Sequence, residues 1–120
     1  MEVREMDNNS TIRLNEQYRG MTVNPASFIE YQEGSVVSKT LVQRANGTIT
    51  MFAFDEGQGL SEHSAPFDAM VVVLDGKTEV TIAGTPNVVG AGEFIIMPAH
   101  EPHALRALDK FKMLLIMIKS

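Results

Sequence analysis

Residues 57–76, GQGLSEHSAPFDAMVVVLDG, decide the fold of this chain. The second half of the stretch, AMVVVL at 69–74, is a short apolar run with three consecutive valines, and Asp75-Gly76 ends it with a dipeptide favoured in tight turns. Another β-prone run, KTEVTIA at 77–83, follows at once, so the two runs are expected to pair as a hairpin across Asp75-Gly76. The first half, with its glycines and His63, is not among the strand candidates.

Outward from this stretch the same rhythm continues. SVVSKTLVQ at 35–43 and TITMFAF at 48–54 flank Ala45-Asn46-Gly47, whose Asn-Gly suits a tight hairpin. Gly84-Thr85-Pro86-Asn87 reads as a turn, and residues 87–89, 94–97, 104–108 and 111–118 complete the strand set. Short strands with close Gly, Asn, Asp and Pro punctuation predict an all-β sandwich or barrel, and helix signals are almost absent. Residues 1–34 are polar and without period at their start. They are expected to form a partly irregular segment that docks on the barrel or on a partner subunit, with the barrel spanning 35–120.

Strands 69–74 and 111–118 are apolar on both faces, so one face lines the interior and the other needs cover. A second subunit is the expected cover, making the chain a homodimer. A length of 120 residues is one compact domain. The chain has no cysteine, which excludes disulfides, thiolate metal sites and a cysteine nucleophile. The charged N-terminus does not resemble a signal peptide and no apolar run is long enough to span a bilayer, which predicts a cytoplasmic protein without membrane contact. A formal charge of -5 with scattered basic residues argues against nucleic acid as a partner.

Two spacings carry a family resemblance. Gly57, five residues, His63-x-Ala65, three residues, Ala69, six residues and Gly76 resembles the first cupin motif, in which G, H-x-H, E and G stand at these positions. Gly92, five residues, Pro98-Ala99-His100, two residues, His103, three residues and Ala107 resembles the second, which runs G, P-x-G, H and N. The resemblance extends from about residue 35 to the C-terminus and implies a double-stranded β-helix, the jelly-roll barrel of small single-domain cupins. Phrases such as IIMPAHEPHALRA are similar to bacterial members without an assigned function.

In the family, two histidines and a glutamate of the first motif and one histidine of the second hold a divalent metal. Carried over by position, His63 and His103 match two of these ligands, while Ala65 and Ala69 stand at the other two. His100, at the glycine position, reads first as an exposed loop histidine and second as a further ligand at the barrel mouth. Asp68 precedes the glutamate position by one residue, and strand alternation sends it to the opposite face.

The reading that follows is a barrel binding a small organic molecule, with an incomplete metal site. Its pocket is expected to contain His63, His103, Met51, Val71 and Leu105. The alternatives are a metal-dependent enzyme, dioxygenase-like or isomerase-like, using zinc, iron, nickel or manganese on His63, His103 and His100, and a metal-free isomerase or epimerase with a histidine base. No catalytic residue is assigned. The eight methionines, spread through the strands, read as core filling.

Overall fold

The computed structural model describes residues 3–5 and 17–119. Among the described residues the strands are β1 (Val3–Glu5), β2 (Val36–Arg44), β3 (Gly47–Phe54), β4 (Gly59–His63), β5 (Ala69–Asp75), β6 (Lys77–Ile82), β7 (Thr85–Gly90), β8 (Phe94–Met97), β9 (His103–Ala107) and β10 (Phe111–Ile118). A short helix, α1 (Pro25–Phe28), is capped by the Asn24 side chain, which accepts from the Ala26 N–H at 3.1 Å. Among the described residues no helix is long and apolar enough to cross a membrane.

The strands form a six-stranded sheet, ordered β1-β2-β3-β10-β5-β8, and a four-stranded sheet, ordered β4-β9-β6-β7. From β3 onward the chain passes repeatedly from one sheet to the other. This is the winding of a jelly roll. Between the sheets lies a core that includes Phe54, Val71, Val80, Leu105, Phe111 and Met113. Phe54 and Phe111 are register partners on β3 and β10, and their rings stack with centroids 4.5 Å apart.

The hairpin expected across Asp75-Gly76 is not formed. Strand β5 pairs with β10 and β8, whereas β6 pairs with β7 and β9, so Gly76 is a corner between sheets. It has φ +72°, and a Cβ there would collide with the Lys110 carbonyl oxygen. Only glycine fits. The paired-positive-φ turn lies instead at Ala83 (φ +49°) and Gly84 (φ +85°), where Thr85, expected in a turn, already pairs with Ile82. The β2–β3 hairpin does form, but with Ala45-Asn46 as its two-residue loop and Gly47 already in the ladder.

Outward residues of the larger sheet are partly covered by the chain itself. Ile29 is buried with Val37, Met51 and Ala53, and Phe28, Tyr31 and Leu114 pack around them. Fully burying Ile29 contributes about 1.5–3 kcal/mol. Polar contacts fasten this cover: Lys112 Nζ donates to the Ala26 carbonyl at 2.6 Å, and the Tyr31 hydroxyl donates to Asp75 Oδ2 at 2.5 Å. The cover reaches Leu74 and Asp75 at the end of β5 but leaves Phe94, Ile96 and Ile118 exposed.

Candidate functional site

Strands β4 and β9 run antiparallel, and His63 and His103 are Cα partners at one end of their ladder. The ladder shifts register between Leu60 and His63, which brings the two imidazoles onto the same side despite the irregular strand. Their Nε2 atoms lie 3.2 Å apart and the rings meet edge to face at 74°. His103 is buried; His63 lies exposed at the rim.

Each ring is oriented by the backbone two residues before it. His63 Nδ1 lies 2.8 Å from the Ser61 carbonyl and His103 Nδ1 lies 3.2 Å from the Glu101 carbonyl. A carbonyl oxygen only accepts, so a neutral ring bonded to it carries its proton on Nδ1 and turns an Nε2 lone pair to the gap, whereas an N–H···N bond across the gap needs a proton on one Nε2. Burial, and secondly the nearby His63, push the His103 imidazole below its ordinary value against the opposing pull of the Glu101 carbonyl. His103 is therefore a neutral base at pH 7.

The loops that carry the pair are stitched together. His100 has φ +70°, the left-handed conformation that suits a motif glycine, and its backbone N–H donates to the Ala65 carbonyl at 2.7 Å. Asp68 Oδ1 accepts from the Ala99 N–H at 2.8 Å. The His100 side chain is exposed and does not line the cavity beside the pair. Asp68 is likewise occupied with the loop.

That cavity measures about 40 Å³ and is lined by Leu60, His63, Ala65, Ala69, Met97, His103, Leu105 and three residues of β10: Met113, Leu115 and Met117. All four motif positions thus converge on one space, two as imidazoles and two as methyl groups. Leu105 is there as expected. Val71 points into the same core but not into the cavity, and Met51 lies on the outer face of the sheet, packed with Ile29 and Val37. The assignment of Met51 to the pocket is therefore corrected. Alternation separates the two faces of β3 without saying which is inner, and Phe52 and Phe54 take the inner one.

Sequence reasoning missed Met97, Met113 and Met117. The signal was available in part, since 113 and 117 share parity with Phe111 on β10, whereas the position of Met97 depends on the pairing of β8 with β5. It also missed β4 as a strand, because serine, glutamate and histidine hide its period.

The family profile of the cupin domain matches residues 50–119. The chain belongs to the cupin family. Among solved structures, this cupin is similar to a conserved protein of unknown function from Streptococcus pyogenes, at 38% identity over 93% of this chain and 98% of that one, with a TM-score of 0.84. A cupin 2 conserved barrel domain protein from Leptotrichia buccalis shares 46% identity over 76% of this chain and 44% of its own length, with a TM-score of 0.74. A cupin superfamily protein from Desulfitobacterium hafniense shares 28% over 91% of this chain and 100% of that one, with a TM-score of 0.82. No curated protein matches the chain significantly.

The residues present do not fit the four-ligand divalent centre of the cupin motifs. Two imidazoles remain, two ligand positions are alanine, and among the described residues no three His, Cys, Asp or Glu side chains gather as a metal site. Two nitrogens alone fall short of the three protein ligands usual in catalytic zinc sites.

Proposed function

We propose that this cupin is a binding protein rather than a complete divalent-metal enzyme, and that it holds a small guest at the barrel end on the paired imidazoles of His63 and His103. The observation that carries the reading is the pair itself: two Nε2 atoms face one another at 3.2 Å in an otherwise apolar cavity. A few polar groups set in an apolar wall are the usual anchor of a ligand site. Space limits the guest. About 40 Å³ compares with roughly 300–1,000 Å³ for sites that enclose drug-sized molecules. An organic ligand therefore reaches the pair with one small polar group, its body lying outside beyond the exposed His63.

The test is a thermal-shift panel of small carboxylic acids, sugars, phenolics and metal salts on the full chain, repeated with His63→Ala and His103→Ala. At least one member raises the melting temperature, and both substitutions remove the effect. Purified protein that retains one tightly held equivalent of zinc, iron, nickel or manganese would overturn the reading.

For assembly, we propose a homodimer in which a second copy covers the exposed apolar part of the larger sheet. Phe94 faces Val72 in register, and Met70 lies between Ile96 and Ile116, so these side chains make one continuous outward patch. Strand β8 is a sheet edge, and antiparallel pairing of two identical edges about a two-fold axis is self-complementary.

A further inference from the structure

Sulfur surrounds the position where the cupin motif carries its carboxylate. Ala69 is register-paired with Met97 on β8 and with Met117 on β10, and both side chains line the cavity together with the imidazoles. Met113 lines it from deeper in β10 and is fully buried. No acidic side chain lines it. Resting on the small-guest reading above, we infer that the guest is a single soft monovalent cation, copper(I), held tetrahedrally by Nε2 of His63 and His103 and by the thioethers of Met97 and Met117, with Met113 packed beneath them.

Distance argues first. A water donating to both nitrogens at about 2.9 Å would hold them roughly 4.5 Å apart, so the observed 3.2 Å excludes a bridging water. Two nitrogens on one tetrahedral ion, each at about 2.0–2.1 Å, lie about 3.3 Å apart. The same separation lets the rings share a direct N–H···N bond, which an ion of this geometry would replace without moving them far.

Charge and softness choose among ions. No anionic side chain lines the cavity, and the cost of moving an ion out of water rises with the square of its charge, so a divalent ion without a carboxylate is poorly compensated. Thioethers select copper(I), and imidazole accepts it. Methionine also has the torsional freedom to bring sulfur to an ion in a space of this size. Core filling explains the burial of these residues, but not why three of the eight methionines meet two opposed imidazoles.

The test uses the full chain under anaerobic conditions, with silver(I) as a redox-inert stand-in and copper(I) supplied from a competing chromogenic chelator. Uptake is read by elemental analysis and by NMR of ε-methyl-labelled methionine. One equivalent of either ion binds, and the methyl signals of Met97, Met113 and Met117 shift while those of exposed Met21 and outward Met70 stay. His103→Ala abolishes uptake. Met97→Leu and Met117→Leu, which conserve core volume, weaken it without unfolding the barrel. Uptake unchanged in the leucine variants, or methionine methyls that do not move, would overturn the inference. If a panel compound binds through His63 and His103 while silver(I) and copper(I) do not, the soft-cation inference falls and the small-guest reading stands. If nothing binds, both fall.

Discussion

Ala65 and His63 face the same cavity, two residues apart on the segment that leaves β4, so the H-x-H geometry of the cupin motif persists here with a methyl group in place of the second imidazole. Ala69 completes the set from the start of β5. The backbone has kept the arrangement of a metal centre while half of the donors have gone.

Restoring those donors should restore the centre. The double substitution Ala65→His/Ala69→Glu is expected to bind one equivalent of zinc or nickel at least about a hundredfold more tightly than the natural chain, since even outer-shell partners are worth about 10–100-fold in metal affinity. The glutamate enters a buried position, so the metal-free variant should melt below the natural protein and recover when metal is added. Calorimetric titration together with thermal melts checks both halves. No gain in affinity would mean that the four positions do not converge in solution.

Much of the fold was legible because strand identity is a local property. Apolar runs between Gly and Pro place β8 and β10 at residues 94–97 and 111–118 without adjustment. What sequence could not settle is partnership. Asp75-Gly76 has the same local chemistry whether the chain folds back into a hairpin or turns a corner to another sheet, and the choice is made by β10, whose residues lie nearly forty positions away. The site divides in the same way. His63 and His103 follow from motif spacing, whereas the methionine wall depends on register across three strands.

Gly76 gives that difference a measurable consequence. A hairpin turn residue tolerates exchange, but a corner packed on the Lys110 carbonyl does not. Gly57, with φ +83° and open space within 4 Å of where a Cβ would stand, isolates the conformational cost alone. Gly57→Ala is therefore expected to cost about 1–2 kcal/mol, the usual penalty of left-handed backbone for an L-residue. Gly76→Ala adds a backbone collision and should cost several times as much or prevent folding. Urea denaturation of both variants makes the comparison, and similar losses would contradict the corner.

Asp55 links the barrel to the segment that covers it, and it predicts how stability depends on acid. Its carboxylate accepts from the Gly34 N–H at 2.7 Å and the Glu56 N–H at 2.9 Å. These two bonds, Gly34 first, hold the carboxyl below its ordinary value; burial opposes them and nearby Lys110 adds to them. A carboxyl depressed in the folded state stabilises the fold fully above the unfolded value, near about pH 4, and loses that contribution as pH falls through the folded value. The urea midpoint should therefore drop as the solution is acidified below about pH 4. Asp55→Asn should be less stable than the natural chain at pH 7 and show a shallower acid dependence. An unchanged slope would remove Asp55 from the account.

The exposed edge of the larger sheet supplies the last expectation. Phe94 and Ile96 are 60% and 48% exposed on β8, and an apolar edge strand left in water is a template for pairing. Charge on such an edge opposes pairing because the partner would have to desolvate it, and a two-fold axis brings each new charge near its own copy. The natural chain should therefore sediment as a dimer at micromolar concentration, and Phe94→Lys/Ile96→Lys as a monomer with an unaltered circular dichroism spectrum. Neither side chain lines the cavity, so the monomeric variant should keep whatever guest affinity the natural protein has. A natural chain that is already monomeric at that concentration would show that this face has no second copy to cover it.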